Sequence, residues 1–425
     1  MNKAYLLNDV CELIVDCEHK TAPTQETGYP SIRTPNIGRG NLILDKVKRV
    51  SEETYKKWTK RAIPKTDDLI LAREAPVGNV AIIPRNLKVC LGQRTVLIRP
   101  NKNKIHSHYL CYLLLGDEVQ GKISSLSNGA TVHHLNMGDI RNLELPQLPP
   151  LHTQSKIAFI LSAYDDLIEN NTRRIKILES MAQTIYQEWF VKFRFPGHKQ
   201  VKMVKSDLGL IPEGWEVYKL GNITTEIIDY RGKTPKKLGS DWSDSGVMAI
   251  SAKNIKQGRL VSLEKSKFVD EQLYKKWMKS ELQQGDILMT SEAPLGELYY
   301  LVEYKKFCLS QRVYGIRANP EVIKPDILYC SLSSNVIQEQ IYARRSGTTV
   351  LGIRQTELRK VPVIVPPMNI QISASRILND LFSSVENLQQ KNINLRLTRD
   401  LLLPKLISGQ IDVENLDIDT GELAA

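Results

Sequence analysis

His133 and His134 are the only adjacent histidines in the sequence, and a metal site built on them would need further His, Cys, Asp or Glu ligands at matching spacing. The cysteines do not supply them. Cys11, Cys17, Cys90, Cys111, Cys308 and Cys330 contain no C-x-x-C pair, and they read as reduced, mostly buried thiols. No GxxxxGK[ST] loop is present to cradle nucleotide phosphates, and neither H-E-x-x-H nor G-x-S-x-G occurs. A methyltransferase acting on exocyclic amines needs a glycine-rich cofactor loop and an Asn/Asp-Pro-Pro-aromatic tetrad. The Pro-Pro pairs here, Leu148-Pro-Pro-Leu151 and Val365-Pro-Pro-Met368, lack the polar residue before and the aromatic after. Pro325-Asp326 is not followed by a nearby acid-x-lysine to complete a nuclease carboxylate cluster. The residues therefore offer no catalytic constellation and no metal site.

The elements around these residues are organised by a duplication. DLILAREAPVG at 68–78 returns as DILMTSEAPLG at 286–296, a shift of 218 residues. The same shift carries CLGQR (90–94) onto CLSQR (308–312), Asn36-Ile37 onto Asn254-Ile255, and Gly40 onto Gly258. YKKW at 55–58 repeats at 274–277 with a slip of one. Collinear matches at one offset mark an internal repeat. Under it His133-His134 faces Leu351-Gly352, so a metal site common to both copies is not expected. Each copy reads as mixed α/β: short apolar runs such as LILA and VAII predict strands, and helices are expected near Ser51 and Ser107. Prolines 146–150 and 362–367 mark the exits.

After each exit the apolar spacing changes to threes and fours. It runs through Ile157, Leu161, Tyr164, Ile168, Asn171, Ile175, Leu178, Ala182, Ile185 and Trp189, and again from Ala374 to Leu406. Such a seam must be buried against another helix. Antiparallel pairing places Asn171 opposite Asn392, Leu178 near Val385 and Ile185 near Leu378, and the asparagines read either as a buried pair that fixes register or as side chains each solvated at a helix bend. The predicted architecture is two pseudo-symmetric α/β domains, 1–150 and 198–367, separated by long helices at 151–197 and 368–425 that form an antiparallel coiled coil. The net charge of +11 in 425 residues favours polyanionic partners. Lys192, Arg194, Lys199, Lys202 and Lys205 form a basic stretch that reads either as a phosphate track or as a solvated linker. No apolar run is long enough for a membrane span, and the start of the chain is too acidic for a secretory signal, so a cytoplasmic location is expected.

SDLGLIPEGWEVYKLGNI (206–223), PKLISGQIDVENLD (404–417), EAPVGNV, EAPLGEL, both CL-x-QR segments and the long arms closely resemble the specificity subunit of Type I restriction-modification systems. The resemblance covers almost the entire chain. It implies two target-recognition domains, each binding one half of a split site in double-stranded DNA. It also implies helical arms that dock two modification (methyltransferase) subunits, with restriction (nuclease-translocase) subunits joining them. The subunit would be non-catalytic, with S-adenosylmethionine held by the modification subunits and ATP with magnesium by the restriction subunit. Two other readings stay open on the residues alone: an assembly scaffold that reads no DNA, and a DNA methyltransferase in its own right.

The duplication also sorts the candidate DNA contacts, because positions that differ between copies could read different bases. Arginine forks to guanine and asparagine or glutamine to adenine are the commonest major-groove contacts. The unlike positions are Arg33 against Ser251, Arg73 against Ser291, His133 and His134 against Leu351 and Gly352, and Asn136 against Arg354. Arg344 and Arg345 replace Leu126 and Ser127. The like positions are Lys20 with Lys233, Gln93 with Gln311, and Arg94 with Arg312. For these, backbone anchoring of DNA competes with structural hydrogen bonding.

Overall fold

The computed structural model describes residues 5–127, 134–347 and 349–420. Its contacts divide the chain into two units, residues 1–171 with 391–425, and residues 172–390. Each unit thus combines one lobe with a segment of both long helices.

In the first unit the main sheet is antiparallel and runs Cys11–Asp16, Thr95–Pro100, Leu69–Ala72, Val80–Ile82 in spatial order. The run LILA shows no alternation because both faces of its strand are covered. Leu69 and Leu71 pack with Ile14, Val96 and Ile98, while Ile70 and Ala72 pack with Ile32, Leu91 and Leu97. Each large apolar side chain buried in this way contributes about 2 kcal/mol. A second small sheet pairs Tyr29–Ile32 in parallel with Cys90–Leu91, which encloses Cys90.

The second unit repeats the plan. Its sheet runs Thr224–Asp229, Val313–Ala318, Ile287–Thr290, Leu298–Tyr300. A register irregularity at Thr224/Glu226 matches the one at Cys11/Leu13. Val247–Ile250 pairs in parallel with Phe307–Leu309, burying Cys308 as Cys90 is buried. All six cysteines are free thiols. The YKKW helices, Glu52–Trp58 and Glu271–Trp277, start from different caps: Ser51 Oγ accepts from the Thr54 amide at 3.2 Å, and an Asp270 carboxylate oxygen accepts from the Leu273 amide at 2.7 Å.

The two long helices are Leu151–Tyr186 and Met368–Ile407, about 54 and 60 Å at 1.5 Å per residue. None of the predicted seam positions is exposed. Within the first unit the helices run antiparallel: Asp165 pairs with Arg399, and the Asn171 amide donates to Asn392 Oδ1 at 3.0 Å. Within the second, Ile175, Leu178, Val385 and Leu388 form one cluster, and Ile185 shares a core with Leu378. The start of each helix is tied to its lobe by an enclosed glutamine. Gln154 accepts from the His106 amide at 2.9 Å and donates to the Pro149 carbonyl at 2.9 Å. Gln371 does the same with Lys324 and Pro366, both at 2.8 Å.

The basic stretch after the first helix is folded. A π-helical turn, Gln187–Val191, carries Trp189, and Phe190, Phe193 and Phe195 converge on Trp215 at centroid distances of 5.3–5.9 Å. Lys192, Arg194, Lys199, Lys202 and Lys205 stand exposed around that cluster, Lys192 and Arg194 paired with Glu188. The acidic tail packs on the first unit: Val413 is buried, and Lys156 Nζ donates to the carbonyls of Glu414 and Leu416, both at 2.8 Å.

Candidate nucleic-acid interface

At one end of the main sheet in each unit, the strand Leu69–Ala72 or Ile287–Thr290 runs into the Glu-Ala-Pro turn. The Ala75-Pro76 and Ala293-Pro294 bonds are cis. Beside the turn sits the residue just before the neighbouring strand, Arg94 or Arg312, with φ of 67° and 71°. Glu74 pairs with Arg94 at 2.8 Å, and Glu292 with Arg312 at 2.7 Å. Gln93 donates its side-chain amide to the His19 carbonyl and Gln311 to the Lys233 carbonyl, each at 3.2 Å. The like positions therefore form a frame made twice, tied internally but leaving Arg94 and Arg312 about half exposed.

Lys20 and Lys233 do not occupy equivalent places in that frame. The glutamine bonds align His19, not Lys20, with Lys233. Lys233 Nζ donates to the Trp277 carbonyl at 2.9 Å and lies 4.4 Å from the centre of the Tyr230 ring, whereas Lys20 is exposed. The sequence pairing failed because the loop after the first strand differs by one residue between the copies.

The unlike positions separate into enclosed and open ones. Arg73, expected among the base readers, is 5% exposed. Its guanidinium pairs with Asp16 at 2.6 Å, donates from Nε to the Leu135 carbonyl at 2.9 Å, and meets His134 Nε2 at 2.9 Å. A guanidinium can only donate, so His134 accepts there and gives its Nδ1 proton to Glu74 at 2.7 Å. The counterpart Ser291 is also enclosed, at 2% exposure. These two side chains face inward, which is a correction to the expectation for them. An aqueous-facing position was inferred from their difference alone, and the difference turns out to be compensated inside the lobe.

Arg33 and Arg354 are exposed, and Ser251 is half-buried. Arg33 and Ser251 each precede an asparagine that accepts from their backbone amides, Asn36 at 3.2 Å and Asn254 at 3.0 Å. Arg344 is held by Gln340 at 2.6 Å, and Arg345 is exposed beside it. Ser346, the next residue, bonds to Gly352 in both directions, which brings Arg344 and Arg345 to the Glu292–Arg312 turn. Asn136 and Arg354 stand exposed just before the short helices Met137–Arg141 and Gln355–Leu358. His133 lies outside the described residues. Asn171 and Asn392 are side by side on the helical seam and enclosed, at 9% and 3% exposure.

Sequence reasoning missed Asp16, Glu74, Asp229, Arg231 and Tyr314. Arg231 grips Asp229 with Nε and a terminal nitrogen at 2.7–3.1 Å and lies 5.0 Å from the centre of the Tyr314 ring. The available signal was a second unlike pair, Val96 against Tyr314, which changes together with Arg73 against Ser291. Among the described residues one His/Cys/carboxylate group, Asp16, Cys17 and His19, gathers its ligand atoms within 4.8 Å. Asp16 already serves Arg73 and His19, and burial pushes the Cys17 thiol up, so the group is built for an ion-pair network.

A repeated lobe with a common frame and a divergent rim, carried on paired long helices, defines a class. The type I restriction modification DNA specificity domain matches residues 2–180 and 212–397, and the chain belongs to that family. It is similar to the MjaIX specificity subunit of Methanocaldococcus jannaschii, 29% identical over 371 residues, covering 87% of this chain and 83% of that one. The MjaVIII specificity subunit of the same organism is 27% identical over 397 residues, covering 92% and 87%. The S subunit of a type I restriction-modification system from M. genitalium shares the fold with a TM-score of 0.61 over 95% of both chains, at 14% identity. The chain is thus a type I specificity subunit. No described helix is long and apolar enough to cross a membrane.

Proposed function

We propose that this subunit reads a split target in double-stranded DNA, one half-site per lobe, and aims companion enzymes at it without making or breaking bonds itself. The observation that carries the reading is the contrast at the sheet ends. Glu74–Arg94 and Glu292–Arg312 repeat the same frame, while the exposed residues around it, Arg33, Asn136, Arg345 and Arg354, differ between lobes. Two different half-sites need such an arrangement, because a common frame fixes the approach and unlike side chains choose the bases. The net charge of +11 favours the polyanion.

The helices carry the second part of the reading. Leu167, Ile393, Leu397 and Leu401 are 43–66% exposed in the first unit, and Ile177, Met181, Ile372 and Ile377 are 40–59% exposed in the second. Ile393, Leu397 and Leu401, like Ile177 and Met181, recur every four residues along a helix, and an exposed apolar stripe of that kind suits a protein partner. Two modification subunits would dock there and bring S-adenosylmethionine, and restriction subunits would bring ATP and magnesium, in the cytoplasm.

Selection of bound sequences from a random duplex library, using the full chain with its modification subunits, tests the proposal. One enriched split sequence is expected. Partner binding without sequence enrichment would instead make the chain a scaffold, and methylation by this chain alone would make it an enzyme.

A further inference from the structure

Arg73 and Tyr314 occupy different places in the repeat yet make the same contact. Arg73 Nε donates to the Leu135 carbonyl at 2.9 Å, and the Tyr314 hydroxyl donates to the Ile353 carbonyl at 2.8 Å. Leu135 and Ile353 are equivalent under the shift of 218 residues.

Strand pairing explains why each lobe holds only one of the two. In the first unit Val96 lies between Asp16 and Leu71 on neighbouring strands. Arg73 follows Leu71 on the same face, so its side chain crosses the small valine to reach Asp16. In the second unit Tyr314 stands in the valine's place, between Asp229 and Met289. Its ring fills that crossing. Ser291 stays small, with its hydroxyl buried and unpartnered among the described residues, and Asp229 is served by Arg231 from its own side. Arginine at one site with valine at the other, or serine with tyrosine, are two closed solutions. A mixture of them is not.

The gripped carbonyls lie at the start of the segments that expose Asn136 and Arg354, each the cap residue of a short helix. Hydrogen-bond readout of a base edge tolerates little displacement of the reading group. We infer that Arg73 and Tyr314 are positioning residues, which by different chemistries fix the segments carrying Asn136 and Arg354 in front of their respective halves of the DNA target. The inference rests on the DNA-reading function proposed above.

Three variants of the full chain test it: Arg73→Ser, Tyr314→Phe, and Arg73→Ser with Val96→Tyr. In hydrogen exchange, Arg73→Ser should speed residues 134–141 by about ten-fold, with the second unit unchanged. Tyr314→Phe should do the same to residues 352–358, and adding Val96→Tyr should return 134–141 towards its original rate. With modification subunits and the random duplex library, Arg73→Ser should blur base preference in one half-site only, and Tyr314→Phe in the other only. A merely structural role would change melting without that asymmetry. Tyr314→Phe, which removes a single oxygen, keeps the test open if Arg73→Ser unfolds its lobe. Unchanged exchange in both single variants, or faster exchange with base preferences intact or blurred equally in both half-sites, would overturn the inference. A wild-type chain that enriches no sequence would sink DNA reading instead, and the positioning role with it, even where the exchange pattern held.

Discussion

Two ion pairs in the first lobe have counterparts in the second, and they were inherited in different ways. Asp68 grips Arg99 through both oxygens at 2.7–2.8 Å, and Asp286 grips Arg317 at 2.7–2.9 Å, with the same arginine nitrogen also reaching a carbonyl, Ile63 or Glu281. That pair is one piece of scaffold made twice. Asp16 and Asp229 are also equivalent, but one is satisfied by Arg73 from across the sheet and the other by Arg231 two residues along. The first pair lies away from the candidate interface, where nothing asks for change. The second lies under it. A requirement set by burial, that a carboxylate there have a cation, survives when the residue meeting it does not.

The comparison can be broken in graded steps. Asp68→Ala leaves the partly enclosed Arg99 without its carboxylate and should cost about 3–5 kcal/mol, while Asp286→Ala should cost less, about 2–3 kcal/mol, because Arg317 keeps Glu226 at 3.3 Å. The loss should be confined to its own unit in residue-resolved hydrogen exchange; equal loss in both units would show that they unfold as one. Ser291→Arg alone forces a guanidinium against the Tyr314 ring and should cost about 2–3 kcal/mol. Adding Tyr314→Val should recover most of that by thermal melting, and no recovery would mean that the two positions are not coupled. On the seam, Asn171→Leu removes the donor to Asn392 Oδ1 and should cost about 1–2 kcal/mol. Leucine at both positions should be neutral or stabilising, with register then less uniquely defined.

The smallest effect is one of pH. His108 and Asp326 are equivalent residues on helices Ser107–Leu115 and Pro325–Ser333. Burial first, and His106 second, push His108 down to about 4, so between pH 6.5 and 4 the unfolded chain takes up a proton that the folded first unit refuses. Stability is lost over that window, by about 1–2 kcal/mol after allowance for partial exposure. Burial outweighs the Ser375 hydrogen bond and raises Asp326, which gives the opposite sign. The folded second unit holds that proton more tightly, and the contribution fades as pH rises through the raised value. With the intrinsic slowing of amide exchange at lower pH divided out, exchange at pH 5 relative to pH 7 should therefore rise more in the first unit, and His108→Asn should flatten the difference. A larger rise in the second unit would refute the assignment.

Much of the architecture was legible because it depends on pattern. The short apolar runs, the change to threes and fours after Pro150 and Pro367, and the antiparallel register are all set by which residues avoid water, and the Asn171–Asn392 contact lies in the expected register. The interior of the candidate interface was harder to read. Arg73 looks like a reader in sequence because its counterpart is Ser291, and its burial depends on Val96 being small and Asp16 being adjacent, facts held by two other strands. A one-residue difference in a loop likewise moved Lys20 out of equivalence with Lys233. Spacing along a chain records local periodicity well and cross-strand neighbours poorly.

The membership of the first unit has a consequence for biosynthesis. Residues 391–417 complete its core, with Leu402, Leu406 and Val413 packed among Leu7, Ile157 and Leu161. The second unit is contiguous in sequence. During translation the lobe made first must therefore wait, its apolar flank uncovered, while more than two hundred residues emerge and the later-made lobe can already close on itself. Nascent-chain release before residue 391 should leave a particle with one finished lobe and one that calls on chaperones.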